Sequence, residues 1–267
     1  MMDGQLSSVT EMERSMPLAD LIASLAARVS ASTEPEPDVC PDCDGYGHVI
    51  GPHGAGPCHC VKDRLVSDRL DAFSQRVYAR YRDAVLAPAN LYETDSLQVV
   101  REYLASVSVQ GQNLRAESGL VICGTTGIGK TTSAIYAASQ IIRKDPTARI
   151  RLWLNYTDLI TDVLFGVEAG NDLRAQRTAI RKQIDQSDAI VIDDIGHSET
   201  YQRSDGIGNE VLKRVCDKAM GDFIPTVLIC NFSPDDLKRF LTGPVASRLG
   251  DKYWQKVLLK GKDLRTK

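Results

Sequence analysis

The stretch GLVICGTTGIGKTT, residues 119–132, combines an apolar run, a glycine-rich loop and the start of a helical segment. The loop matches the pattern G-x4-G-K-T, in which glycines let backbone N–H groups turn towards bound phosphates. We expect Lys130 to reach the β- and γ-phosphates of ATP and Thr131 to ligate Mg²⁺. A strand before the loop and a helix after it distinguish this motif from an ordinary glycine turn. The residues predicted to contact the nucleotide are Gly124, Thr125, Thr126, Gly127, Ile128, Gly129, Lys130, Thr131 and Thr132.

Polar side chains end two further apolar runs, AIVIDDIG (189–196) and TVLICN (226–231). Parallel strands end at one edge of a sheet, where the nucleotide and Mg²⁺ bind. We expect Asp193 to be the carboxylate on the magnesium side. Asp194 stands where many P-loop ATPases have Glu, and we expect it to polarise the attacking water. Asn231 either orients that water or forms a turn before the following Ser-Pro pair.

Strands and helices alternate along the chain after residue 118. The periodicity predicts strands at 119–123, 148–154, 189–194 and 226–230, and helices at 130–143, 157–165, 173–186, 207–220 and 234–241. Helical segments also precede this region, from Val61 to about Ala87 and from Leu97 to Val107. Near-continuous apolar strands alternating with helices are typical of a parallel sheet covered on both faces. The sequence therefore predicts an α/β fold with a P-loop.

Four of the seven cysteines lie within one short segment. Cys40 and Cys43 form a C-x2-C hook, and Cys58 and Cys60 form a C-x-C hook, which together supply the four soft ligands of a tetrahedral zinc site. A closed Zn²⁺ site of this kind is structural and stabilises a segment too small for its own core. His59 is the histidine best placed to replace a thiolate, and an unmetallated redox pair is the main alternative to zinc. The remaining cysteines lie in apolar segments as small core residues: Cys123, Cys216 and Cys230.

Charge and hydropathy exclude several classes of protein. The chain of 267 residues has 32 basic and 35 acidic side chains, and its net charge of −3 argues against a protein that coats duplex DNA over its whole surface. No apolar run approaches the ~18 residues that span a bilayer, and the N-terminus lacks a signal pattern. An odd cysteine count with one tight cluster suits a reducing compartment. We therefore expect a cytoplasmic protein without membrane contact.

The composition divides the chain into three predicted segments. Residues 1–38 form an amphipathic helix and an acidic linker, because apolar residues recur on one helical face and prolines and acids follow at 31–38. Residues 39–88 form the zinc knuckle and connecting helices, and residues 89–267 form the ATPase core.

With these motifs placed, the sequence resembles the DnaC/DnaI-type bacterial helicase loaders, a branch of the AAA+ ATPases that also includes the IstB-type transposition helpers. The resemblance runs from about residue 40 to 265 and is more specific than the P-loop alone. It rests on the cysteine hooks and on four further stretches: RYRDA (80–84), IDDIG (192–196), IPTVLICNFSPDDL (224–237) and SRLGDKYWQKVLLKGKDLR (247–265).

The resemblance implies an AAA+ ATPase that binds the hexameric replicative helicase and delivers it onto single-stranded DNA during replication initiation. It implies that the zinc-bearing part grips the helicase and that the ATPase part self-associates through its ATP sites. In such an assembly Asn231 would be sensor 1, and Arg248 would be the arginine finger acting on a neighbouring subunit's ATP. Arg265 has no role assigned.

Two other functions stay open at this point. An IstB-type transposition helper would use the same ATPase core with a transposase on duplex DNA. A zinc-binding chaperone segment of the DnaJ type would need several cysteine repeats, and only one is present. The sequence also departs from the loader pattern at two places: Cys230 stands where Ser is usual, and Lys218-Ala219 stands where Arg-Tyr is expected.

Overall fold

The computed structural model describes residues 39–51, 54–111, 113–156, 173–196, 207–233, 235–236, 241, 243–261 and 263–264. The chain forms two compact units, one ending at Val61 and the other beginning at Lys62. Several sequence-based expectations lie outside the described residues: the helices at 15–30 and 157–165, the linker 31–38, Arg265 and most of the helix at 234–241. The division into residues 1–38, 39–88 and 89–267 stays a prediction.

The first unit is built on a small antiparallel hairpin. Strands β1 (His48–Gly51) and β2 (Gly54–Pro57) pair from His48 opposite Pro57 to Gly51 opposite Gly54. Helix α1 (His59–Ser74) begins directly after the hairpin and continues into the second unit. Gly47 before β1 has φ +74°, and a Cβ at this position would lie 3.0 Å from a methyl group of Val61. The turn into the hairpin therefore requires glycine.

The second unit is organised around a five-stranded parallel sheet of order β6-β7-β8-β5-β9. Its strands are β5 (Gly119–Gly124), β6 (Ile150–Trp153), β7 (Ala189–Ile195), β8 (Thr226–Cys230) and β9 (Trp254–Leu259). Every residue of β5 and β8 is buried, as expected for central strands covered on both faces. This arrangement confirms the predicted α/β fold and brings the carboxyl ends of β5, β7 and β8 side by side.

Two apolar layers cover the sheet. Alternate residues of β7 separate into them, with Ile190 and Ile192 on one face and Ala189 and Val191 on the other, because side chains of a strand alternate between faces. The helices of this unit are α2 (Asp83–Leu86), α3 (Asp95–Ser106), α4 (Lys130–Lys144), α5 (Leu173–Asp185), α6 (Ile207–Asp222) and α7 (Gly243–Gly250). Within the described ranges, no helix is long and apolar enough to cross a membrane.

The lead-in to the sheet packs on helix α4. The Ser139 hydroxyl donates to the Ala84 carbonyl at 3.1 Å, and the Arg143 guanidinium donates to the Val85 carbonyl at 2.9 Å. The helix or two expected from Val61 to about Ala87 are present as α1 and α2, with a short 3-10 turn (Ala79–Tyr81) between them. These side-chain bonds to free carbonyls stabilise the broken segment.

Several elements lie outside the strands and helices that the periodicity predicted, among them β9, a second hairpin and a short helix. A second hairpin, β3 (Ser108–Gln110) with β4 (Asn113–Arg115), connects α3 to the sheet. All three residues of β3 are exposed, and its Ser-Val-Gln alternation is too short to signal a strand, which needs about 4–8 residues. Helix α7 is short, and it begins with Gly243 and Pro244, which read as a turn.

Replacing Gly119 with alanine should destabilise the second unit. A Cβ at Gly119 would lie 2.3 Å from the indole ring of Trp254, which is buried and pairs with Gly119 across β5 and β9. Overpacking of this kind costs about 1–3 kcal/mol of unfolding free energy. Gly221→Ala, where a Cβ meets no atom within 4 Å, should leave stability unchanged or raise it by up to about 1 kcal/mol. Urea unfolding followed by circular dichroism measures both variants, and equal stability of the two would contradict the packing argument.

Candidate nucleotide-binding site and metal centre

A cleft of about 510 Å³ opens at the carboxyl ends of β5, β7 and β8. Most of the residues predicted from the P-loop and from the two polar strand ends line it. These are Thr126, Gly127, Gly129, Lys130, Thr131, Thr132, Asp193, Asp194 and Asn231. The sheet topology therefore brings together three segments that are far apart in sequence.

The backbone of the P-loop leaves no space for side chains at its glycines. Gly127 has φ +81° and Gly129 has φ +89°, both in the left-handed region that favours glycine. A Cβ on Gly127 would overlap the carboxylate of Asp263, and one on Gly129 would lie 3.2 Å from the side chain of Thr94. The Leu264 N–H also donates to the Gly127 carbonyl at 3.0 Å. The conformation of the P-loop is thus determined both by its glycines and by the segments of the same chain that pack against it.

Lys130 is buried at the start of α4, with 6% of its surface exposed. Its ammonium donates to the carbonyls of Gly124 at 2.9 Å and Thr125 at 2.5 Å. A buried cation needs partners of this kind, because an unpaired charge in the interior is costly. The positive charge therefore lies inside the loop, where it can attract the phosphates of a nucleotide.

Asp193 is a buried carboxylate with one oxygen that lacks a hydrogen-bond partner among the described residues. Its other oxygen accepts the N–H of Asp194 at 2.8 Å, and the Thr131 side chain lies close enough to the carboxyl group to oppose a rise of its pKa. Burial raises the pKa of Asp193 to about 6, although the Thr131 and Asp194 bonds oppose that shift. A bare carboxylate oxygen beside a threonine hydroxyl is a donor set that fits Mg²⁺, which prefers oxygen ligands.

Asp194 and Asn231 contact each other at the mouth of the cleft. The Asn231 amide donates to a carboxylate oxygen of Asp194 at 2.5 Å. Asp194 has φ +61°, an unusual value for a residue with a side chain, and it lies where the pairing register of β7 with β8 shifts between Ile192 and Ile195. Successive side chains of a regular strand point to opposite faces, but both carboxylates line this cleft, as a local irregularity of the strand allows. The pair can hold and polarise a water molecule next to a terminal phosphate.

The cleft also has residues that sequence reasoning assigned no role. Tyr78, Arg80 and Tyr81 line its rim, with the Arg80 guanidinium 4.7 Å from the centre of the Tyr81 ring and 5.9 Å from that of Tyr78. Asn155 lies two residues after the end of β6, and Asn231 lies one residue after the end of β8. A polar amide shortly after an apolar strand is the signal that could have identified Asn155. Leu154 and Leu264 complete the lining.

Arg248 is not part of this cleft. It lies in α7 and forms an ion pair with Asp217 of α6, and its guanidinium also donates to the Pro244 carbonyl at 3.0 Å. The ammonium of Lys213 also contacts the Asp217 carboxylate, at 2.9 Å. The two charges opposite Asp217 lower the pKa of its carboxyl group despite partial burial. Arg248 is thus held on another surface of the second unit.

The four cysteines of the first unit form a compact cluster. The sulfur atoms of Cys40 and Cys58 are 3.7 Å apart, those of Cys43 and Cys60 are 3.5 Å apart, and all four lie within 4.8 Å of one another. A tetrahedral zinc ion with Zn–S distances of about 2.3 Å requires sulfurs roughly 3.8 Å apart, so the geometry fits zinc. The Gly47 N–H donates to the Cys43 sulfur at 3.3 Å, a typical outer contact of a thiolate ligand.

The four thiols are close enough to change one another's acidity. Burial opposes ionisation of Cys43, but the Gly47 N–H and the neighbouring thiols lower its pKa to about 7. Burial and the other sulfurs raise the pKa of Cys60 to about 12. Four thiolates this close together would repel one another unless a metal ion lies between them.

His59 lies at the edge of the cysteine cluster. Its Nδ1 atom is 3.6 Å from the Cys58 sulfur and 3.3 Å from a carboxylate oxygen of Asp42. Cys40, Asp42 and His59 also place one ligand atom each within 4.8 Å of the others, but Asp42 and His59 are exposed whereas Cys43 and Cys58 are buried. The four sulfurs are therefore the better-enclosed set of ligands.

Comparison with known proteins places these sites in a wider context. No family model matches the chain. The protein "Replicative helicase loader DnaI" of Bacillus subtilis (strain 168) is 27% identical over 147 residues, which is 54% of this chain and 42% of the relative. The chain thus matches less than half the length of that relative.

Two solved structures share the fold. The crystal structure of the DnaC helicase loader superposes with a TM-score of 0.51 at 20% identity, over 68% of this chain and 100% of that one. The crystal structure of DnaI superposes with a TM-score of 0.50 at 15% identity, over 68% and 92%. The chain therefore shares the fold of these structures, and its sequence similarity to a helicase loader confirms its resemblance to the DnaC/DnaI-type loaders.

Proposed function

We propose that this protein is an ATP-dependent loader that binds the replicative hexameric helicase and delivers it onto single-stranded DNA. The observation that carries the proposal is the cleft that joins the P-loop, Asp193, Asp194 and Asn231 in a chain similar to a helicase loader. A cysteine cluster ahead of this ATPase unit supports the same function, since the resemblance implies that a zinc-bearing segment grips the helicase.

The cleft residues divide the chemistry of ATP hydrolysis among them. The P-loop amides and Lys130 would hold the phosphates, and bound Mg²⁺, ligated by Thr131 and Asp193, would neutralise charge that develops on them. Asp194 and Asn231 would orient the attacking water, since they already contact each other at 2.5 Å. Tyr78 and Tyr81, with Arg80 between them, offer aromatic faces on which the base can stack.

Arg248 would complete this chemistry only on a neighbouring subunit. It lies outside the cleft of its own chain and is held by Asp217, so any contact it makes with ATP would be with the nucleotide of another subunit. An arginine supplied by a second copy would make hydrolysis dependent on self-association. Binding of ATP and its hydrolysis are then controlled by different residues.

Arg248→Ala should therefore leave ATP affinity unchanged and lower the hydrolysis rate in concentrated protein by roughly 10³-fold, the usual contribution of such a finger. Asp217→Asn is the matched control, because it removes the same ion pair but keeps the arginine. Phosphate release at high protein concentration, with nucleotide binding by calorimetry, measures both effects. An equal loss in the control would show that Arg248 acts only through its ion pair.

Zinc should bind to the cysteine cluster with one ion per chain. Cys58→Ser, which removes a buried ligand, should release that zinc and expose residues 39–61 to proteolysis, because a metal-stabilised segment unfolds without its metal. ATP binding should persist, since the second unit supplies every residue of the cleft. Elemental analysis of the purified protein, with Cys216→Ser as a control in the other unit, measures the change. Zinc retained at full occupancy in Cys58→Ser would contradict the four-sulfur site.

The loader function is tested by native mass spectrometry of this protein mixed with the replicative helicase of its own source, with and without ATP and Mg²⁺. We expect a discrete complex with a fixed subunit ratio, and we expect Cys58→Ser to abolish it. The absence of any complex in every nucleotide state would contradict the loader proposal and favour a transposition helper with the same ATPase core.

A further inference from the structure

Two cysteines outside the zinc cluster contact each other beneath the nucleotide cleft. Cys123 and Cys230 are register partners on the adjacent strands β5 and β8, and the Cys230 thiol donates to the Cys123 sulfur at 3.0 Å. Both are free thiols and both are buried, with 0% and 1% of their surface exposed. Neither has a role in the proposed chemistry of hydrolysis. Two facing thiols at this distance are close enough to react with each other.

The position of this pair links it to the cleft. Cys123 immediately precedes Gly124, where the P-loop begins, and Cys230 immediately precedes Asn231. The positive charge of Lys130 acts on both sulfur atoms. A nearby cation stabilises a thiolate, which is the reactive form of cysteine. The bond from Cys230, together with Lys130, lowers the pKa of Cys123 in spite of its burial.

We propose that Cys123 and Cys230 are an oxidation site that forms a disulfide bond between the P-loop strand and the Asn231 strand when the protein meets hydrogen peroxide. The strand geometry allows this bond. Neighbouring strands lie about 4.8 Å apart, inside the range of roughly 4.4–6.8 Å between the Cα atoms of bonded cysteines. Because both sulfurs are buried, only an oxidant of nearly the size of water can reach them.

The reaction takes two steps. The Cys123 thiolate attacks one oxygen of the peroxide, so that a sulfur–oxygen bond forms, the oxygen–oxygen bond breaks and hydroxide leaves. The Cys230 sulfur then attacks the resulting sulfenic acid, so that the sulfur–sulfur bond forms and the sulfur–oxygen bond breaks. The hydroxide and the sulfenic oxygen leave as water after taking the protons of the two thiols. The two thiols together lose two electrons, and one peroxide gains them and is reduced to two molecules of water.

Bound nucleotide should slow this reaction, an expectation that rests on the proposed ATP site. Phosphates in the P-loop would draw the charge of Lys130 away from the sulfurs and would fill the cleft above them. The disulfide in turn would join the end of β5 to the end of β8. It would thereby fix the distance between Gly124 and Asn231. Oxidised protein should therefore bind ATP several-fold more weakly.

The test treats the full-length protein with hydrogen peroxide, with and without ATP and Mg²⁺, and then blocks free thiols under denaturing conditions. Trypsin releases Cys123 in residues 116–130 and Cys230 in residues 219–238, each as the single cysteine of its peptide. We expect these peptides to be recovered as one crosslinked species lighter by two hydrogens, formed several-fold more slowly when ATP is present. Recovery of both as separate, blocked peptides would overturn the proposal.

Two variants serve as controls. Cys230→Ser is nearly isosteric and should abolish the crosslink, while Cys216→Ser should leave it unchanged. Cys216 lies in the same apolar cluster, and burial raises the pKa of its thiol to about 12. A crosslink that persists in Cys230→Ser would overturn the assignment, and Cys123→Ser provides the same test should that variant fail to fold. ATP binding by untreated protein is measured separately, so failure of the ATP site is distinguished from failure of the thiol pair.

Discussion

The parallel register of β7, β8 and β5 is the constraint on which the rest of the structure depends. Because the three strands run in one direction, the residues that follow each of them meet at one edge of the sheet. The P-loop follows β5, Asn231 follows β8, and Asp193 and Asp194 lie near the end of β7. Antiparallel pairing of any one strand would send its polar end to the opposite side of the molecule.

Charge inside the cleft is balanced by short-range contacts rather than by solvent. Lys130 is held by two loop carbonyls, and Asp193 is held by Thr131 and by the N–H of Asp194. Burial still raises the pKa of Asp193, which shows that these contacts do not fully compensate its desolvation. A divalent cation would complete the balance. Such a charge distribution fits the phosphates and the metal of a nucleotide, as the proposed ATPase function would require.

The two units of the chain are stabilised in different ways. The second unit buries two apolar layers on either side of its sheet. The described part of the first unit has a hairpin of two four-residue strands and large exposed side chains, including Tyr46 and Ile50. A segment of this size cannot bury enough apolar surface, and four clustered thiols offer a metal ion in place of a core. Cys123 and Cys230 differ from these four cysteines, because they are buried within the apolar core of the second unit.

The sequence by itself determined the α/β class, the P-loop and the cysteine hooks, because each depends on local periodicity or on ligands a few residues apart. Only the tertiary structure decided which distant residues share the cleft. Tyr78 and Leu264 line it although they are far from the P-loop in sequence, whereas Arg248 lies outside it and pairs with Asp217. The contact of Cys123 with Cys230 also depends on strand order, since 106 residues separate them in the chain. Spacing along a chain says little about such contacts, because they are selected by the global minimum of packing energy rather than by local geometry.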